Sequence, residues 1–106
     1  MQKHTVVYLE AFNLDESDFV PCEVCSSRAV DIHHIISRGM GGSKLRNDIE
    51  NLMALCRECH DKYGDKKDYL NFLKTKHFQK LSQFSVNFSE DYFVIHRYGT
   101  QEDNKV

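Results

Sequence analysis

The sequence predicts a small α+β fold organised around a metal site, and three observations carry that prediction. All four cysteines of the 106-residue chain fall in two Cys-x-x-Cys pairs, Cys22/Cys25 and Cys56/Cys59. Short runs rich in β-branched and aromatic residues read as strands. From Lys66 to about Leu81, apolar residues recur every three or four positions, the spacing of one helix face.

Size and composition narrow the possibilities. A chain of 106 residues is expected to form one domain, here taken as residues 1–106. A domain this small buries only about 60–70% of the surface its unfolded form exposes, so a structural metal adds needed folding energy. The mean hydropathy of −0.56 excludes a membrane protein. No run approaches the roughly 20 apolar residues of a membrane span, and Met1-Gln-Lys-His-Thr-Val-Val-Tyr8 has no signal-peptide shape. The expected location is cytoplasmic, where paired cysteines serve metals rather than disulfides. Net charge is −2, which excludes a histone-like basic field. Arg28 to Lys67 holds 8 Lys/Arg against 6 Asp/Glu, a weak local preference for a polyanion.

Taken in order, Thr5–Phe12 reads as a strand and Asn13–Asp18 as a polar turn. Pro21 biases Val20 to an extended conformation ahead of the first knuckle. Ala29–Ile36 reads as a second strand. Its alternation would separate His33 from His34, unless the strand ends or bends there. Ser37-Arg-Gly-Met-Gly-Gly-Ser43 is either a flexible turn or a loop that approaches phosphates with Arg38, Lys44 and Arg46. Asp48–Leu55 returns the chain to the second knuckle, with Leu52 and Leu55 in the core. Asp65 is the expected N-cap of the 66–81 helix. Its apolar stripe runs Leu70, Leu73, His77 or Phe78, Leu81 and Phe84. Glu90–Tyr98 reads as a last strand, and Gly99 onward as a frayed tail.

Two Cys-x-x-Cys pairs bring together four soft ligands, which suit tetrahedral zinc at about 2.3 Å. Such a zinc forces His60, next to Cys59, toward the 31–36 strand that carries His33 and His34. Imidazole is the commonest transition-metal ligand and titrates near neutrality. His33, His34, Asn51 and His60 therefore form a candidate working site. His4, His77 and His96 are read as ordinary structural or surface histidines.

The ordered run Cys22-x-x-Cys25, His33-His34-Ile35, Gly-rich loop, Asn51-Leu52, Leu55-Cys56-x-x-Cys59-His60 resembles the HNH endonuclease family in its four-cysteine form. The resemblance covers about residues 20–64. It implies a zinc-stabilised, treble-clef-like ββα-metal core, here with flanking strands and a C-terminal helix. It implies His34 as general base, His33 and His60 as ligands of a catalytic divalent metal, and Asn51 orienting the base. The catalytic metal is expected to be Mg²⁺, with Mn²⁺ or Ni²⁺ as alternatives, and Cys22, Cys25, Cys56 and Cys59 hold structural Zn²⁺. Some relatives carry another histidine three or four residues after the last one. Tyr63 and Gly64 stand there, so that ligand is missing. The implied activity is phosphodiester hydrolysis, with double-stranded DNA the expected partner and RNA the alternative substrate. Arg38, Lys44, Arg46 and Arg57 are candidate phosphate contacts, or solvated surface charges. The competing function is a zinc-stabilised nucleic-acid- or protein-binding module without cleavage. Both a monomer and a homodimer fit the sequence.

Overall fold

The computed structural model describes residues 2–36 and 47–96, without the side chains of Ile95 and His96. At its centre is a two-stranded antiparallel hairpin, β1 (Asp31–His34) and β2 (Leu52–Leu55). The register sets Asp31 against Leu55, Ile32 against Ala54, His33 against Met53 and His34 against Leu52. All four residues of β2 are buried, so both faces of this small sheet are covered. On one face Ile32, Leu52 and Ala54 pack with Tyr8 of α1 (Lys3–Ala11). On the other, Met53 and Leu55 pack with Ile35, Leu73 and the cysteine knuckles.

Helix α2 (Arg57–Tyr63) follows β2 directly, which completes a ββα unit. Helix α3 (Leu70–Gln83) comes after a 3₁₀ turn at Lys67–Tyr69, and a short α4 (Tyr92–His96) ends the described chain. Leu73, His77 and Leu81 form the buried stripe of α3. The small α+β architecture with four clustered cysteines is that of a ββα-metal fold. Among the described residues no helix is long and apolar enough to cross a membrane.

Several expectations are corrected. The Thr5–Phe12 run is helix α1, not a strand. Its β-branched Thr5, Val6 and Val7 set a weak local preference, but its buried His4, Tyr8 and Leu9 lie at helical spacing. Burial of that face on the hairpin decides the outcome. The Ala29–Ile36 strand shortens to Asp31–His34. The last expected strand is helix α4, which buries Tyr92 beside Ile36 while Phe93 packs on Phe78. Among the described residues the core is thus flanked by helices, not strands. Phe84 lies off the buried stripe of α3 and is 56% exposed. Asp65 caps nothing: it holds a left-handed φ of 59°, and the residue preceding α3 is Tyr69. Residues 37–43, with Lys44, Arg46, Arg97, Tyr98 and the 99–106 tail, lie outside the described residues.

A polar network ties these layers together. Glu23, between the first two cysteines, has a fully buried side chain. It accepts from the Tyr8 hydroxyl, from the Ala54 N–H at 3.3 Å and from His77 Nδ1 at 2.7 Å. His77 Nε2 donates to the Ile49 carbonyl at 2.7 Å. One carboxylate thus joins α1, β2, α3 and the first knuckle, and every buried polar group in the set has a partner. Burial first, and the Glu23 charge second, push the Tyr8 hydroxyl far up, so it stays a donor.

Candidate metal centre and the histidine pair

The two knuckles close on one point. Cys22, Cys25, Cys56 and Cys59 place their sulfurs within 4.8 Å of one another, and Cys25 Sγ stands 3.6 Å from Cys56 Sγ. A tetrahedral zinc with bonds of about 2.3 Å sets its sulfurs about 3.8 Å apart, so the cluster fits one zinc. The backbone favours thiolates. Val24 N–H points at Cys22 Sγ and Cys59 N–H at Cys56 Sγ, each at 3.4 Å. Cys56 is the N-cap of α2, and the Cys59 N–H, aided by the Ser27 hydroxyl, holds its thiol down to about 6. Ser27 also holds Cys25 below the usual thiol range. Burial pushes Cys59 up. A coordinated cation deprotonates such a thiol outright.

A second convergence lies on the α2 side of β1. His33, His60 and Asp65 place ligand atoms within 4.8 Å of one another. His33 and His60 meet edge to face, with ring centroids 4.8 Å apart. His33 is 4% exposed, and among the described residues its Nε2 is a buried nitrogen without a hydrogen-bond partner. Burial holds His33 down to about 4, which keeps it neutral, the form a metal ligand requires. Two imidazoles and a carboxylate around an orphaned nitrogen fit a divalent cation. Asp31 adds negative charge, its Oδ2 3.8 Å from His60 Nε2.

Asp65 was not legible as a donor. It stands five residues after His60, past the positions where an extra histidine was sought. The left-handed backbone at Asp65 turns the chain just after α2. Gly64 permits the approach, since a Cβ there would meet His60 O at 2.6 Å and His33 Cε1 at 3.3 Å.

His34 faces the other way, as strand alternation requires. It ends β1 on the α1 side, and its ring lies 4.7 Å from that of His4, tilted by 50°. His34 Nε2 lies 2.9 Å from Asn47 Oδ1. With that oxygen accepting, Nε2 is the donor, and Nδ1 is the ring nitrogen left for other chemistry. Asn51 is fully buried and clamps the backbone beyond His34. Its Oδ1 accepts from Ile36 N–H at 2.8 Å, its Nδ2 donates to Ile36 O at 3.2 Å, and its carbonyl accepts from Ile35 N–H at 2.9 Å.

The HNH endonuclease family matches residues 22–66, a span that holds both donor clusters. Over 61 residues the chain is 36% identical to Anaredoxin of Nostoc sp., an alignment covering 58% of this chain and 75% of that protein. The chain belongs to the HNH endonuclease family. No solved structure matches it significantly. The HNH match begins at Cys22 and ends at Lys66, so it includes Asp65 and Asn47 and leaves out α1 with His4 and Tyr8. Of the basic residues considered for phosphate contact, Arg57 is described. It is exposed on α2, with Nη1 3.9 Å from Asp61 Oδ1.

Proposed function

We propose that this HNH protein is a metal-dependent endonuclease that hydrolyses phosphodiester bonds of DNA. One observation carries the reading. A buried, neutral His33 with an unpartnered nitrogen converges with His60 and Asp65, while the next residue, His34, presents an imidazole at the strand end with Nε2 2.9 Å from Asn47 Oδ1. A binding module has no use for that combination.

His34 acts as general base: Nδ1 takes a proton from the water whose oxygen attacks phosphorus. Asn47 fixes the tautomer by accepting from Nε2. Asn51 holds the backbone just beyond the base, which keeps the imidazole where β1 places it. His33, His60 and Asp65 would hold a divalent cation, Mg²⁺ or alternatively Mn²⁺ or Ni²⁺. When bound, that cation would supply charge stabilisation to the phosphodiester as it is cleaved. The P–O3′ bond breaks, the 3′ oxygen takes a proton from solvent, and the ends are 5′-phosphate and 3′-hydroxyl. The four-cysteine zinc stands apart from this chemistry and holds the knuckles on which β2 and α2 are mounted. Arg57 contributes sequence-blind phosphate attraction.

The test is a supercoiled-plasmid assay with Mg²⁺, Mn²⁺, Ni²⁺ or EDTA, wild type beside His34→Ala. The expected result is metal-dependent nicking that falls by about 10²–10⁴ in the variant, with zinc content and fold retained. A folded, zinc-loaded wild type that cuts neither DNA nor RNA with any of these metals would refute the nuclease reading and leave the binding module.

A further inference from the structure

Among the described residues Asn47 meets the His34 imidazole at one atom, and a single hydrogen bond does not fix a ring. Rotation about the Cβ–Cγ bond of histidine is broad, so the ring plane needs a second restraint. That restraint comes from outside the family core. His4 lies in the first turn of α1 and is buried at 9% exposure, with its ring 4.7 Å from His34 at a 50° tilt. We propose that His4 is a positioning residue, a wall that sets the plane of the His34 ring and so the direction of Nδ1. The proposal rests on the nuclease reading of His34.

The placement of His4 follows from how α1 is anchored. His4 and Tyr8 are one turn apart and share the inward face of the helix. Tyr8 is fully buried against Ile32, Leu52 and Ala54, and its hydroxyl is tied to Glu23 in the first cysteine knuckle. Leu9 is buried one residue on. The helix is thus locked to the hairpin and to the zinc side of the molecule at its second turn. The first turn has little freedom left, and it carries His4 onto the strand end that holds the base. Register does the rest: His34 opposes Leu52, on the same sheet face that Tyr8 covers. A flat ring is what restrains another ring.

The experiment compares wild type, His4→Ala and His4→Phe for kcat, KM, zinc content and Tm, and repeats His4→Ala in the His34→Ala background. The expected result is a roughly tenfold loss of kcat in His4→Ala, inside the about 100-fold that misplacing a catalytic group costs. KM, zinc content and Tm hold. His4→Phe, which keeps a flat ring without nitrogens, recovers most of the loss. In the His34→Ala background His4→Ala has no further effect, because the group it positions is gone. The proposal is overturned if kcat is unchanged, if the loss persists undiminished without His34, or if it follows Tm and zinc content. It is also overturned if His4→Phe stays as low as His4→Ala with Tm intact, since the nitrogens and not the ring would then matter. A wild type that cuts nothing overturns the nuclease reading and this role with it. An active wild type indifferent to His4→Ala overturns this role alone.

Discussion

Replacing Glu23 by alanine should destabilise the protein more than any other single change among the described polar residues. The carboxylate is fully buried and accepts from Tyr8, His77 and the Ala54 N–H. Its removal leaves three buried donors without an acceptor, each costing about 1–3 kcal/mol. Three such donors left unpaired at once put the whole change at about 3 kcal/mol or more. A small domain has only about 5–15 kcal/mol in total. Glu23→Gln is the informative comparison. Its amide oxygen can accept from Tyr8 and Ala54, while its NH₂ can donate toward His77 Nδ1. The hydrogen-bond count survives although the charge is lost, so the expected cost is below about 1.5 kcal/mol. The chain has no Trp, so unfolding is followed by circular dichroism, in urea and by heat at one fixed excess of zinc. At about 4 °C or more per kcal/mol, Glu23→Ala should lower Tm by at least about 12 °C. A loss under about 1 kcal/mol in Glu23→Ala would refute the network as a structural tie. Equal losses in the two variants would show that charge, not hydrogen-bond count, holds it.

Four further outcomes follow from the same geometry. Asp65→Asn keeps a residue type that tolerates the left-handed backbone but removes the charge, so Mn²⁺ affinity by calorimetry should fall at least about tenfold with Tm unchanged; unchanged affinity removes Asp65 from the donor set. Gly64→Ala drives a Cβ into His60 O, within 2.6 Å, and should cost about 1–3 kcal/mol and weaken the same metal site, as read by urea titration and calorimetry. Burial lowers His33 from 6.5 to about 4, so the unfolded chain binds the extra proton between those values. Stability from this group is therefore complete above pH 6.5 and lost as pH falls through 4, on the order of 3 kcal/mol, and the difference between wild-type and His33→Gln stability curves should show that slope. Removal of zinc by a strong chelator should unfold the chain, as loss of the circular dichroism signal; a metal-free chain that stays folded would deny the four-cysteine zinc its structural role.

What was legible in the chain was the chemistry whose partners lie at fixed short spacing. Two Cys-x-x-Cys knuckles specify a metal wherever the fold places them, and the structure brings them within 4.8 Å. The adjacent histidines and Asn51 carried the family pattern. Strand alternation foretold that His33 and His34 point apart, and β1 ends at His34, so one strand end serves both faces. Leu52 and Leu55 were recognisable as core because a short apolar run next to a knuckle has nowhere else to go.

The flanks were not legible, because their conformation follows from what covers them. Val6 and Val7 favour a strand in isolation, yet the hairpin offers α1 a face, and burying Tyr8 and Leu9 there outweighs a local preference worth about 1 kcal/mol at most across residue types. Tyr92–His96 likewise found an aromatic surface rather than a strand partner. The same holds for the residues added to the site. Asp65 was expected as a helix cap and His4 as an ordinary histidine, and nothing in the local sequence singled out Glu23 or Asn47. Each acquires its part from a group distant in sequence: His77 is 54 residues from Glu23, and Asn47 is 13 from His34. The sequence alone determined the four-cysteine donor set and the candidate histidines, because ligand chemistry is local. The tertiary structure decided that Asp65 joins His33 and His60, that Asn47 meets His34 and that α1 brings His4 to the same strand end, because a contact exists only once packing has closed the distance.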